Sequence, residues 1–383
     1  MTGRFVVVGI GADGWDGLGM RARAELSEAA VIYGSSRQLQ LLPPLEAQSR
    51  PWRSPMSTHL AELLHTGPEN DRDGTVHILA SGDPMFHGIG TTIVRAVGAA
   101  RVDVIPTVSS AALACARLGW DLTDVEILTS VARDLESVAD GLSDGRNLLI
   151  LSRDETTPAQ LAHLLTDNGF GWSAITVLEQ LGGPAERVVR GIARTWAEPP
   201  GDPLNIVAVS CVGPRRSRTP GHPDDEYAND GQITKQPIRA LTISALAPSH
   251  RQLLWDIGSG SGSIAIEWLR AEPTGRVVAF ESDDTRRAQL LANATRHGVA
   301  GRLTVGAAAP EAFASAPEPD VAFIGGGLSA RVLEATWAAL GRAVGSSPTR
   351  SPWRTSSCSW NGMAAKAVRY VGSQSRRPRR WGR

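Results

Sequence analysis

The chain has 383 residues, with 39 Lys and Arg balanced by 39 Asp and Glu, so its formal net charge is zero. That length predicts two domains at about 100–200 residues each, and the neutral balance argues against a nucleic-acid carrier or a membrane-surface protein. No run of about 18 apolar residues occurs and no signal peptide opens the chain, while Cys115, Cys211 and Cys358 lie too far apart for metal-ligand spacing or a disulfide framework, which predicts a cytoplasmic location.

Phe5-Val6-Val7-Val8 reads as a buried strand running into Gly9-Ile10-Gly11-Ala12-Asp13-Gly14, with a helix expected through Arg21–Ala30. The turn imitates a dinucleotide fingerprint. The helix begins too late, however, and the next strand, Val31-Ile32-Tyr33-Gly34, ends in glycine where an acid would hold a ribose. Nicotinamide binding is discounted on those grounds. The strand from Val76 ends in Gly82-Asp83-Pro84, where proline fixes the turn and the aspartate sits at the strand tip. Val102–Ile105 leads through Pro106-Thr107-Val108-Ser109-Ser110 into a helix over Ala111–Leu118; hydroxyls at such a place usually cap the helix. Strands at Asn147–Leu151, Ala174–Glu179, Arg187–Gly191 and Leu204–Val209, with a helix over Thr157–Asn168, complete this region. Gly213 to Gly231 has glycine, proline and charge without an apolar period and reads as an interdomain linker.

The most specific local signal follows. Leu253–Ile257 is an apolar strand that breaks into Gly258-Ser259-Gly260-Ser261-Gly262 and resumes as a helical pattern at Ser263. Glycine permits unusual dihedrals and keeps Cβ out of a ligand's way, and the helix start offers free N–H groups to an anion. Strand Val277–Phe280 ends in Glu281, 19 residues after Gly262, where an acid can accept both hydroxyls of a ribose. Glycine at every second position, led by Asp256, resembles the first motif of class I S-adenosylmethionine methyltransferases. The bland alternative is a glycine-rich turn that only lets a helix pack on a sheet.

Gly9-x-Gly11, Gly82-Asp83-Pro84 and Pro106 to Ser110, in this order, resemble the tetrapyrrole methylase family. Ile233 to Ser244, Trp255 to Gly258, Ser263 to Trp268, Ala309-Pro310-Glu311-Ala312-Phe313 and Pro319 to Gly326 resemble the decarboxylating methyltransferases of cobalamin biosynthesis. The pair, to about Arg342, is similar to the fused, decarboxylating precorrin methyltransferases. The resemblance implies an α/β chain: a tetrapyrrole methylase fold over 1–212 (two α/β subdomains with a cleft), a linker over 213–231, and a Rossmann-like class I methyltransferase fold over 232–342. It implies one S-adenosyl-L-methionine per domain and a tetrapyrrole substrate, precorrin-6B, methylated at C-5 and C-15 with loss of the C-12 acetate carboxyl to give precorrin-8X. A homo-oligomer without metal, nucleic-acid or membrane partners is expected.

The resemblance also implies donor-binding residues. In the C-terminal half these are Thr234, Gly258, Ser259, Gly260, Ser261, Gly262, Glu281 and Ala309; in the N-terminal half they are Gly82, Asp83, Phe86, Ser109 and Ser110. The structural readings beside the latter set are a turn aspartate, a core aromatic and helix caps. Ala308 stands where many methyltransferases carry an acid for the adenine amino group, which leaves adenine recognition to backbone groups. No catalytic residue is assigned, because an electron-rich ring attacks an already activated methyl and each site must chiefly align the partners and exclude water. Substrate carboxylates call for arginines in the clefts, and 37 arginines leave the choice open.

A class I sheet usually has seven strands, and four are placed up to Arg342: Leu253–Ile257, Val277–Phe280, Leu303–Val305 and Val321–Ile324. From Ala343 to Arg383 there are nine Lys or Arg, no Asp or Glu and three of the 11 tryptophans. The expectation is a disordered basic tail left by a frameshift in a GC-rich gene, and an incomplete C-terminal fold. The alternatives are a basic nucleic-acid-binding arm, a methyltransferase acting on RNA, and a chain whose N-terminal methylation alone is active while the C-terminal part serves binding or assembly.

Overall fold

Short runs of Val, Ile and Leu, separated by glycine turns and by helices with one apolar face, favour sheets whose strands are joined by crossovers and buried on both faces. The computed structural model describes residues 4–66, 74–131, 133–342, 353–360 and 363–370. The chain divides into two units: Met1–Leu135 with Gly145–Gly213 form unit 1, and Glu136–Asp144 with Pro214–Arg383 form unit 2. No helix among the described residues is long and apolar enough to cross a membrane.

Unit 1 carries two sheets. Strands β1 (Arg4–Ile10), β2 (Val31–Gly34), β3 (Gln48–Pro51), β4 (Thr75–Ser81) and β5 (Val102–Ile105) pair in the order β3-β2-β4-β1-β5, all parallel. Val6 and Val8 of β1 face one core cluster and Phe5 and Val7 the other, as the two-residue period of a strand dictates. The second sheet contains β6 (Val125–Thr129), β7 (Asn147–Leu151), β8 (Ala174–Glu179), β9 (Arg187–Ile192) and β10 (Asn205–Ser210), ordered β6-β7-β10-β8-β9. Only β6 and β7 run parallel there.

In unit 2, β11 (Leu253–Ile257), β12 (Arg276–Phe280), β13 (Leu303–Gly306) and β14 (Val321–Ile324) form a parallel sheet. Two further strands, β15 (Trp353–Trp360) and β16 (Met363–Tyr370), extend it to the order β13-β12-β11-β14-β16-β15, with β16 antiparallel to β14. The tail expected to be disordered thus supplies two strands. The physical reason is that an open sheet edge offers main-chain donors and acceptors to any extended segment, whatever its apolar period. Residues 343–352, 361–362 and 371–383 of that tail lie outside the described residues.

The stretch read as a linker belongs to unit 2 from Pro214 onward, and hydrogen bonds hold it there. Helix Ser263–Ala271 carries Glu267, which is 1% exposed. Its carboxylate accepts the N–H groups of Gly221 (2.6 Å) and His222 (3.0 Å), the Tyr227 hydroxyl (3.3 Å) and Arg239 Nε (2.5 Å). The buried Arg239 guanidinium also donates to the carbonyls of His222 and Thr234. Asn293 binds both the N–H and the C=O of Ala228, each at 2.9 Å. Elsewhere in unit 2 the Asp140 carboxylate lies among Arg302 (3.2 Å), Arg270 (3.5 Å) and Arg218 (4.0 Å).

Candidate functional site

In unit 2 the end of β11 is shaped by its glycines. Gly258, Gly260 and Gly262 have φ of 70°, 53° and 77°, in the left-handed region that glycine tolerates best. A Cβ at Gly258 would meet the Gly326 carbonyl oxygen at 2.6 Å, and one at Gly262 would meet Leu290 Cγ at 2.7 Å. At Gly260 the nearest atom would be the Gln232 carbonyl oxygen, 3.9 Å away, so this backbone is open to a ligand. Glu281, 5% exposed, reaches the same loop: Oε2 accepts the Gly260 N–H at 2.8 Å and Oε1 accepts the Asp283 N–H at 3.1 Å. Oε1 also takes the Ser282 hydroxyl at 3.4 Å, while Oε2 keeps a second lone pair for a hydroxyl.

The other expected residues divide by what they already do. Ser259 donates its hydroxyl to the Asp256 carbonyl at 2.6 Å, and Ser261 is buried with its carbonyl held by Asn293 Nδ2 at 2.9 Å. The Thr234 carbonyl accepts from Arg239, in the segment that brings Gln232 beside Gly260. Ala309 precedes a cis peptide to Pro310 and packs on the Trp255, Phe280 and Phe313 cluster. Sequence reading names Asp256 only as the residue that leads the glycine motif and gives it no role of its own. It is 1% exposed, neither enclosed carboxylate oxygen has a hydrogen bond of good geometry, and burial pushes its pKa up to about 7. The Ala265 N–H offsets part of that, the Glu281 charge adds to it, and the Ser259 hydroxyl lowers it slightly.

In unit 1 a cleft of about 410 Å³ opens where the ends of β1 and β4 meet residues of the second sheet. Gly82, Asp83, Phe86 and Ser110 all line it. Gly82 has φ of 58° and an open Cβ direction, whereas a Cβ at Gly9 would strike the Gly82 carbonyl oxygen at 2.4 Å. Asp83 Oδ1 accepts the Met85 N–H at 2.8 Å and so makes the turn as well as facing the cleft. Ser109 is not among the lining residues; it caps helix Ser110–Leu118 by accepting the Ala112 N–H at 3.2 Å. His87, given no role from sequence, lines the cleft at φ of 53°. Burial, then the charge of Arg133, lowers its pKa, so its imidazole is neutral near neutral pH.

Both places fit S-adenosylmethionine by their own features. Unit 2 offers a glycine cradle with an acid beside it. Unit 1 offers an open glycine turn and two enclosed, unpartnered polar atoms on the opposite wall, Ser152 Oγ and Asn205 Oδ1. Unsatisfied buried polar atoms favour a ligand that completes them.

Comparison with known proteins gives the same two parts. The profile of the family described as "Tetrapyrrole (Corrin/Porphyrin) Methylases" matches residues 4–196, and that of "Precorrin methyltransferase domain" matches residues 225–345. A precorrin-6Y C(5,15)-methyltransferase (decarboxylating) of Mycobacterium tuberculosis is 46% identical over 329 residues, which are 85% of this chain and 81% of that one. One from Sinorhizobium sp is 42% identical over 354 residues, 90% of this chain and 84% of the relative. The crystal structure of a precorrin-6Y methylase from Archaeoglobus fulgidus, 26% identical, covers 54% of this chain and 98% of its own, with a TM-score of 0.43.

Proposed function

This chain belongs to the family of precorrin-6Y C(5,15)-methyltransferases (decarboxylating), and from that premise we propose how its two sites divide the work. It is an S-adenosylmethionine-dependent C-methyltransferase of cobalamin biosynthesis that methylates a tetrapyrrole precursor and removes a carboxyl group. We assign one ring methylation to unit 1, and the second, with loss of carbon dioxide, to unit 2. The finer substrate assignment, precorrin-6B converted to precorrin-8X, stands on the same premise. The buried thiols of Cys115 and Cys211 support a cytoplasmic location.

The observation that carries the reading is the Glu281–Gly260 hydrogen bond, which sets an acid and an uncovered glycine backbone at one strand end. When bound, S-adenosylmethionine supplies a methyl group already activated on a sulfonium. The protein's task is then position and solvent exclusion. In unit 2, Gly258, Gly260 and Gly262 admit the donor's backbone-like part, Glu281 takes the ribose hydroxyls, and Ser259, Ser261, Thr234 and Ala309 form the surrounding wall. In unit 1, Gly82, Asp83, Phe86 and Ser110 flank the donor, with Ser109 fixing the helix that presents Ser110. Decarboxylation breaks the bond to the acetate carboxyl, releases carbon dioxide and leaves an electron pair. The substrate's own conjugated ring delocalises that pair until a proton from solvent takes it, so the protein needs chiefly to hold that carboxylate and the ring in place.

Mass spectrometry of the tetrapyrrole after incubation with S-adenosylmethionine tests this. Two methyl groups gained with one carbon dioxide lost is the expected product. One methyl gained with the carboxyl retained would mean that unit 2 is silent, and an unchanged tetrapyrrole would overturn the reading for this chain.

A further inference from the structure

The unit 1 cleft is lined by a cation, Arg37, that no carboxylate among the described residues pairs. Arg37 lies in the short helix Ser36–Gln40 directly after β2. A reciprocal pair of hydrogen bonds fixes that turn: Ser35 Oγ accepts the Gln38 N–H at 3.2 Å, and Gln38 Oε1 accepts the Ser35 N–H at 2.7 Å. Gln38 Nε2 then donates to Ser81 Oγ at 3.0 Å, and Arg37 Nη2 donates to the same hydroxyl at 3.2 Å. The guanidinium is thereby held at the end of β4, beside Gly82.

Among the described residues that line this cleft, Arg37 is the one Lys or Arg. It is half-buried and forms no ion pair among the described residues; Asp202 acts on it only as a distant charge. Burial lowers its pKa and the Asp202 charge offsets part of that, so the guanidinium has lost part of its water with no carboxylate in contact. Trp52 and Met56 line the same cleft, and Trp52 is braced by Tyr33 at 5.5 Å between ring centroids. A planar donor fork beside an aromatic wall suits a flat ligand that carries carboxylates.

We propose that Arg37 receives a side-chain carboxylate of the tetrapyrrole and so sets which ring carbon faces the methyl donor in unit 1. This rests on the tetrapyrrole reading above. Its role is substrate binding and orientation, with no proton transfer.

The test uses the full chain, with methylation followed by ring position in the product and S-adenosylhomocysteine affinity measured by calorimetry. Arg37→Gln is expected to raise KM for the tetrapyrrole in the unit 1 methylation by about ten- to a hundredfold. S-adenosylhomocysteine affinity should stay within about twofold of the wild type, which also shows that the cleft is intact. Arg37→Lys should recover part of the loss, since charge returns without the fork. A tetrapyrrole whose carboxylates are methyl esters should bind the wild type and Arg37→Gln equally poorly. An unchanged KM in Arg37→Gln would overturn the proposal, as would a parallel fall in S-adenosylhomocysteine affinity, which would place Arg37 with the donor. Failure of the wild type to methylate any tetrapyrrole would remove the functional reading as well; methylation by the wild type with an indifferent Arg37→Gln would remove this assignment alone.

Discussion

Asp256 and Gly262 show how differently two residues of one loop can be read. Gly262 was legible because a missing side chain leaves a spacing in the sequence. Its left-handed φ and the 2.7 Å approach to Leu290 make Gly262→Ala strained and crowded, at a cost of about 1–3 kcal/mol. Calorimetry should find two S-adenosylhomocysteine molecules bound per wild-type chain and one per Gly262→Ala chain; two in both would remove the loop from the donor site. The burial of Asp256, named from sequence only as leading the glycine motif, was not legible, because an aspartate near a strand end looks the same whether solvated or enclosed. Its native pKa of about 7 exceeds the unfolded value of about 3.9. The native protein therefore keeps a proton that the unfolded chain has released. That contribution to stability is fully present below the unfolded value and is lost as pH rises through the native one. Asp256→Asn cannot titrate, so its melting temperature relative to the wild type should rise between about pH 5 and about pH 8. An equal difference at both pH values would show that the carboxyl is not raised.

At the scale of elements, most strands with an apolar run were found from sequence, β6 (Val125–Thr129) being missed, and those held by polar or main-chain bonds were not. β1, β4, β7, β8, β10 and β11 to β14 follow their Val, Ile and Leu patterns. β3, Gln48–Pro51, is polar throughout and mostly exposed, so nothing marks it. The hairpin strands β15 and β16 flank Asn361-Gly362, a dipeptide favoured in two-residue hairpin turns. That signal was overshadowed by the basic composition around it. The stretch from Gly221 to Gly231 has no period because its hold on unit 2 is a set of hydrogen bonds to Glu267 and Asn293. Glu267→Ala would leave Arg239, whose side chain is fully buried, with only the partly exposed Asp224 at 3.1 Å as its acid, at a cost of about 1–3 kcal/mol. Trp255 and Trp268, 1% and 0% exposed, should report that loss as an earlier fluorescence transition in urea. The double variant Glu267→Leu with Arg239→Met should lose less than Glu267→Ala alone. A double variant as unstable as the single one would show that the pair is not what holds the segment.

For the whole molecule, the order of the two methyltransferase parts was legible because each carries its own glycine signature, and the pair in sequence is more specific than either. What sequence could not show is that unit 2 claims residues from both sides of the seam. The same pairing sets a functional expectation: Glu281→Ala should yield a product with one methyl gained and the carboxyl kept, read by mass spectrometry, while a product identical to the wild type's would free Glu281 of any part in donor binding.

The carboxylate of Asp140 carries that seam further. Its segment, 136–144, is encoded amid unit 1, yet its single negative charge is shared among Arg218, Arg270 and Arg302 of unit 2. The chain therefore holds two catalysts that are not two interchangeable cassettes. A gene divided before Pro214 would deliver a C-terminal fragment whose three arginines lack the Asp140 carboxylate, and the fragment should melt below the same unit in the intact protein. Grafting such halves between relatives would succeed only where the acid travels with the arginines it serves.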